Sequence, residues 1–352
     1  MKLFENPLYQ EDIQSIDRFY FDLTKFENTN ILITGATGLI GTIFVDMLNY
    51  LNLKNNLNIS FFIITRNKEK AKLLFSHINN INFIEQDILK PYDISIKLDY
   101  IIHGASNTHP ILYSQDPVGS MITNIFGSYN LLNLAKQNPK CKFILLSSVE
   151  IYGDDNIGLE KGFAENDFGY LDCNNVRANY SEGKRASESL CQAYKSQYGV
   201  EIIILRLCRC YGPTLKKDDS KALSQFIHNA LDQKDIILKS EGNQFYSYIY
   251  SADAASAIIY CMLNGINGEA YNVSDTKSDI KLKDLAQLIA TEVNTNVIFQ
   301  LPNTIESNGF SKANVAILNS NKINNLGWYP KYTIKEGIHR TMKILGTSFC
   351  NL

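Results

Sequence analysis

The sequence has no excess of basic charge: 34 lysines and arginines stand against 36 aspartates and glutamates, a formal net charge of −2. Its cations are scattered apart from short pairs such as Lys216-Lys217. A chain without a basic face does not draw a polyanion by its overall field, so nucleic acid is not an expected partner. Also missing is any run approaching the roughly 20 apolar residues that a membrane span needs. Glu5, Glu11 and Asp12 interrupt the N-terminus before any apolar stretch long enough for a secretory leader. Membrane insertion and export are therefore not expected. The cysteines, at 141, 173, 191, 208, 210, 261 and 350, are odd in number and lack paired ligand spacing. Cys208-Arg-Cys210 has no second cluster and no histidine near it, so reduced, packed thiols in a cytoplasmic protein are expected and no metal site is.

What is present is an ordinary globular balance, 45% hydrophobic and 20% charged over 352 residues, enough to bury a large core. The apolar pattern alternates between strand and helix periods. Strands are expected at 30–34, 59–65, 81–84, 99–103, 142–147 and 201–206. Helices are expected at 42–51, 67–77, 116–136 and 180–198. Such alternation predicts an α/β chain, a Rossmann-type doubly wound parallel sheet. After Tyr211-Gly-Pro213 the alternation loosens, with helical segments near 224–231, 251–263 and 280–292. The expected organisation is an N-terminal extension over 1–29, a dinucleotide-binding domain over 30–210 and a smaller α/β substrate lobe over 211–352, the last boundary being indistinct. The cleft between the lobes is the expected active site.

Gly35-Ala-Thr37-Gly38-Leu39-Ile40-Gly41 ends the first strand and opens the first long helix. Glycines there permit a tight turn and let a pyrophosphate approach the N–H groups of the helix start. The second strand ends Thr65-Arg66-Asn67, with no acid to hold a ribose 2′-hydroxyl. Arg66 either pairs with a 2′-phosphate, which favours NADP, or is a solvated surface arginine, and the choice between NAD and NADP stays open.

Tyr180-Ser-Glu-Gly-Lys184 puts a phenol and an ammonium four residues apart, on one side of a helix. A neighbouring Lys184 ammonium and a nicotinamide cation favour phenolate, so the Tyr180 pKa is expected to fall from about 10 towards neutrality, where it accepts a proton from a substrate hydroxyl. Ser148, at the end of the fifth strand, is placed to hydrogen-bond the same oxygen.

Taken together, the Gly-x-x-Gly-x-x-Gly turn, Ser147-Ser148 followed by Ile151-Tyr152-Gly153, Tyr180-x-x-x-Lys184, Tyr211-Gly-Pro213 and Leu326-Gly-Trp-Tyr-Pro330 resemble the extended short-chain dehydrogenase/reductase (NAD-dependent epimerase/dehydratase) family, from about Asn30 to Tyr332. The resemblance implies that Asp87-Ile88 contacts the adenine, that Gly104, Ala105 and Ser106 after His103 lie beside the cofactor, and that Asn124 is structural. It implies catalysis by Ser148, Tyr180 and Lys184, and a homodimer formed through the helices at 116–136 and 179–198.

Pro117-Val118, Arg177-x-x-Tyr180-x-Glu182-Gly-Lys184-Arg185 and Asp218-Asp219 look most like UDP-glucuronate decarboxylases, with NDP-glucose 4,6-dehydratases next. Resemblance gives Glu150 a catalytic part and argues against simple epimerisation. A dehydratase also needs an acid for the departing C6 hydroxyl, and Val149 stands where that acid is expected. A decarboxylase needs none, because oxidation at C4 makes the C6 carboxylate part of a β-keto acid. Thr214 and Tyr246 occupy positions where relatives carry arginines, so replacement cations for the nucleotide sugar are sought among Arg177, Arg206, Arg209 and Lys221, with Tyr246 itself in the substrate site. The alternatives are a 4,6-dehydratase, 4-epimerase or 4-keto reductase, and, on the same fold, a non-catalytic cofactor sensor.

Overall fold

The computed structural model describes residues 2–108, 115–153, 161–217, 219–300 and 314–349. Asp218, one of the positions matched above, lies outside the described residues. The helices are α1 Pro7–Gln14, α2 Leu39–Asn55, α3 Lys68–Leu74, α4 Pro117–Gln137, α5 Asn179–Tyr198, α6 Ala222–Leu231, α7 Ser251–Asn264, α8 Leu282–Val293, α9 Asn321–Leu326 and α10 Ile334–Phe349. The strands that concern the site are β1 Asn30–Thr34, β2 Ser60–Thr65, β3 Ile81–Glu85, β4 Tyr100–His103, β5 Lys142–Ser148, β6 Glu201–Leu207, β7 Arg209–Tyr211, β8 Ile236–Leu238, β9 Phe245–Tyr246, β10 Tyr248–Tyr250 and β11 Ala270–Val273.

Among the described residues the central sheet has seven strands in the order β11-β6-β5-β4-β1-β2-β3. Every pairing in it is parallel. Parallel strands need crossovers, and helices on both faces bury them, which is why β1, β5 and β6 read as nearly continuous apolar runs. The order β3-β2-β1-β4 then β5-β6 is that of a doubly wound dinucleotide fold, whose ligands sit beyond the carboxyl ends of the strands where the winding reverses, between β1 and β4. The sheet does not stop at β6. Its seventh strand, β11, pairs Ala270–Val273 with Ile204–Leu207, so the chain returns to the dinucleotide domain after making β7 to β10.

The N-terminal segment is a strap that ties the two halves together. Tyr9 donates to Asp46 of α2 at 2.7 Å, and Asp46 also pairs with His77 at 2.8 Å. On the other side Asp12 accepts from Arg340 at 2.7 Å and from the Tyr250 phenol. Arg18 reaches Asp253 of α7 at 2.8 Å. Removing one partner from such buried pairs strands the other charge. The strap thereby fixes α2, whose first turn is the glycine-rich segment. No helix among the described residues is long and apolar enough to cross a membrane.

Candidate active site

Gly35 leaves β1 with φ of +75°, and a β-carbon there would lie 2.6 Å from the Gly104 carbonyl. Gly41 is crowded differently, since its β-carbon would meet the Gly35 oxygen at 2.2 Å. The two glycines close the turn that brings α2 against the end of β4. Gly38 is the N-cap of α2 and has no side-chain cap. The first-turn N–H groups are therefore not satisfied by a cap, as an anion site at a helix start requires. Thr37, Leu39 and Ile40 complete that turn. Thr34 supports it from below, its hydroxyl accepting from the N–H groups of Gly104 and Ala105, each at 3.2 Å. His103, buried between Thr34 and Ser128, is pushed down to about 3 by burial and then by the charge of Lys184, so it stands as a neutral imidazole. These observations fit a dinucleotide.

The flanking positions fall around the same crevice. Arg66 is exposed at the end of β2. Asp87 accepts from Leu89 N at 2.9 Å, and Ile88 is buried against α4, where its carbonyl accepts from Asn130. Ser106 donates to Asn124 at 2.9 Å. Asn124 lies close beside Gly183 of α5, so its part is to hold the loop after β4 against the helix that carries Tyr180.

At the end of β5, Ser148 caps a 3-10 turn, accepting from Glu150 N at 3.2 Å, and hydrogen-bonds the Tyr180 phenol. Lys184 is 3% exposed and donates to the Leu146 carbonyl at 2.8 Å. Burial lowers its pKa to about 8, against the opposing pull of Glu188. The fall expected in the Tyr180 pKa depends on the nicotinamide cation as well as on Lys184, and the chain's own groups push the other way. Burial dominates and raises it, the Ser148 hydrogen bond opposes, and the Glu150 carboxylate raises it further. Lys184 Nζ is 5.9 Å from the Tyr180 ring centre, and the chain's own groups leave Tyr180 as a neutral phenol.

Two further residues carry unexpected parts. Arg206, a candidate for the missing phosphate-binding charge, is instead buried and bridges Glu188 at 2.8 Å, the Tyr152 phenol at 2.9 Å and the Glu165 carbonyl at 2.7 Å. A guanidinium so fully occupied is structural. Glu188 was missed, although its spacing of four residues from Lys184 on α5 was the available signal.

Arg177 is half-buried in the 3-10 turn immediately before α5. Lys221 is at the N-cap of α6, 3.8 Å from Asp219, and its charge reaches Cys210. Arg209 on β7 lies over the Tyr246 ring, 3.5 Å from its centre, and 3.6 Å from Glu150. Arg209 thus brings a cation beside position 246 from the neighbouring segment. Thr214, at the other changed position, donates to the Leu39 carbonyl. Cys208 is buried, and Cys210 lies against the Cys208 carbonyl at 3.4 Å.

Residues 31–274 match the model of the NAD dependent epimerase/dehydratase family. The chain belongs to that family. This is an NAD-dependent epimerase/dehydratase-family enzyme of the extended short-chain dehydrogenase/reductase type, as the glycine turn and the Ser148-Tyr180-Lys184 group led one to expect. Among curated relatives it is 32% identical to UDP-glucuronic acid decarboxylase 3 of Arabidopsis thaliana, over 88% of this chain and 87% of the relative. Solved structures share the fold. UDP-glucose 4-epimerase of Thermotoga maritima, determined with UDP-glucose, superposes with a TM-score of 0.77 at 21% identity, covering 91% of this chain and 100% of the other. dTDP-glucose 4,6-dehydratase of Bacillus anthracis, in complex with NAD, gives 0.72 at 23% identity, covering 91% and 97%.

Proposed function

We propose that this family member is a UDP-glucuronate decarboxylase, which oxidises the sugar at C4 and releases C6 as CO2. The observation that carries the reading is Val149. It follows Ser148, its side chain is buried in the core, and it offers no acid for a leaving C6 hydroxyl. The 32% identity to a decarboxylase over most of both chains supports the same reading.

Bound NAD supplies the hydride acceptor, at the glycine turn and beside Gly104, Ala105 and Ser106. Ser148 orients the C4 oxygen. The nicotinamide cation of bound NAD would add to the charge of Lys184 in favouring phenolate at Tyr180, and as phenolate Tyr180 takes the C4 hydroxyl proton as C4 becomes a ketone. The C5–C6 bond then breaks, CO2 departs, and its electron pair passes into the C4 ketone to give an enolate that is reprotonated at C5. The product is UDP-4-keto-pentose, or UDP-xylose if hydride returns to C4. NADP is the alternative cofactor, because Arg66 is exposed and no acid follows β2. Dehydration is the second reading, favoured by the partly exposed Glu150 carboxylate near Tyr180. Incubation with UDP-glucuronate and NAD is expected to release CO2, and a product lighter by water would overturn decarboxylation in favour of dehydration.

A homodimer through α4 and α5 belongs to the same proposal. Val118, Met121, Phe126 and Tyr129 are exposed on one face of α4, and an apolar stripe of this kind is costly in water. Light scattering is expected to give twice the 39.8 kDa chain mass, and Phe126→Glu to give the single mass. A wild-type monomer would refute the assembly. The six free cysteines among the described residues suit a reducing compartment, which supports a cytoplasmic setting.

A further inference from the structure

Arg209 is held in an unusual way for a charged side chain near a reaction centre. Its strand, β7, runs parallel to β10, and its own N–H donates to the Ser247 carbonyl at 3.3 Å. That register sets the guanidinium over the Tyr246 ring, 3.5 Å from the centre, a contact with the ring face that leaves the N–H edges available. One edge faces Glu150, with Nη2 3.6 Å from the carboxylate, longer than a good charge-assisted hydrogen bond. The other carries Nη1, which is buried and has no hydrogen-bond partner among the described residues. The side chain is 22% exposed. A buried, unpaired donor on a cation is costly unless a ligand completes it.

The surroundings indicate where that ligand sits. Glu150, 3.6 Å from Arg209, donates its N–H to Ser148 at 3.2 Å, and both it and Cys210, the residue after Arg209, act electrostatically on Tyr180. Arg209 therefore borders the oxidised end of the sugar. For a hexose with its C4 oxygen at Ser148 and Tyr180, C5 is the adjacent ring carbon and the C6 group projects from it. A carboxylate at C6 would otherwise face Glu150, a like charge.

We propose that Arg209, braced on Tyr246, is a specificity-determining residue that binds the C6 carboxylate of a nucleotide-linked uronate and shields it from Glu150. This rests on the decarboxylase reading. The planar fork suits a carboxylate bidentately, and the oxyanion completes Nη1 where Glu150 does not. Tyr246 is the platform, so its aromatic face matters more than its hydroxyl.

The test is binding, measured by calorimetry on the full chain with NAD present, with UDP-glucuronate, UDP-glucose and UDP as probes. Wild type is expected to prefer UDP-glucuronate over UDP-glucose. Arg209→Asn is expected to lose about 10-fold to 100-fold of UDP-glucuronate affinity while UDP and UDP-glucose stay within about 3-fold. Arg209→Lys, which keeps the charge without the fork, and Tyr246→Leu, which removes the platform, should give smaller losses with the same selectivity; they carry the test if the asparagine variant does not fold. An equal loss for UDP would assign Arg209 to the diphosphate and overturn the proposal. Retained preference for UDP-glucuronate in all three variants would overturn it while leaving decarboxylation standing. A wild type without that preference would overturn both.

Discussion

Tyr180→Phe is expected to reduce turnover by about 100-fold to 10,000-fold, the range for a lost general acid or base, while NAD affinity changes by no more than about 3-fold and the melting temperature barely moves. The asymmetry follows from what the substitution removes. Tyr180 is buried, and phenylalanine keeps the ring that fills the space. What disappears is the oxygen that meets Ser148 and that, in the proposed mechanism, accepts the C4 hydroxyl proton once bound NAD and Lys184 favour phenolate. Burial already holds that phenol above its ordinary pKa, so the ligand-free chain stores no phenolate for the variant to lose. Hydride transfer in a single turnover, followed by nicotinamide absorbance, isolates the step. Full activity in the variant would remove Tyr180 from the mechanism.

Gly38→Glu should abolish cofactor binding with the fold intact. A β-carbon at 38 comes no nearer than 3.1 Å to the Gly35 oxygen, a contact that a shift of a few tenths of an ångström relieves, and the backbone φ of −90° suits any L residue. The added carboxylate would sit at the start of α2, satisfying the uncapped N–H groups and taking the place of the pyrophosphate. Like charges in that position cost several kcal/mol, so a fall of about 100-fold or more in NAD affinity is expected by calorimetry. Gly41→Ala provides the contrast. Its methyl would lie 2.2 Å from the Gly35 oxygen and 2.7 Å from Ala36 Cα, both backbone, so the turn itself must move, at about 1–3 kcal/mol or more. A lowered melting temperature is expected there. If Gly38→Glu kept its affinity, the pyrophosphate would have to bind elsewhere.

Much of the site was legible because it is local. A glycine turn between strand and helix is written within twelve residues, and a four-residue spacing brings Tyr180 and Lys184 to one side of α5 whatever packs around them. Expected helices and strands agree with the observed ones to within a few residues, since each long element has a clear apolar period. β11 was less legible. Four residues, Ala270 to Val273, join the central sheet only because β6 already offers an unpaired edge, and no local pattern marks which sheet a short strand will join.

Charges were the least legible. Arg206 and Arg209 are separated by two residues, and both are arginines on strands near the same cleft. One is consumed by Glu188 and Tyr152, the other is held over Tyr246 with an open N–H. Their partners come from positions 152, 188 and 246, so only the packed chain distinguishes a structural guanidinium from one facing the site.

The sequence by itself determined the doubly wound architecture, the place of the dinucleotide turn and the Ser148-Tyr180-Lys184 group, because each depends on periodicity and near-neighbour spacing. Only the tertiary structure decided the direction in which burial shifts Tyr180 and Lys184, the partners of Arg206 and Arg209 and the strap that anchors α2. Those depend on desolvation and on contacts between segments distant in the chain, which a linear pattern does not encode.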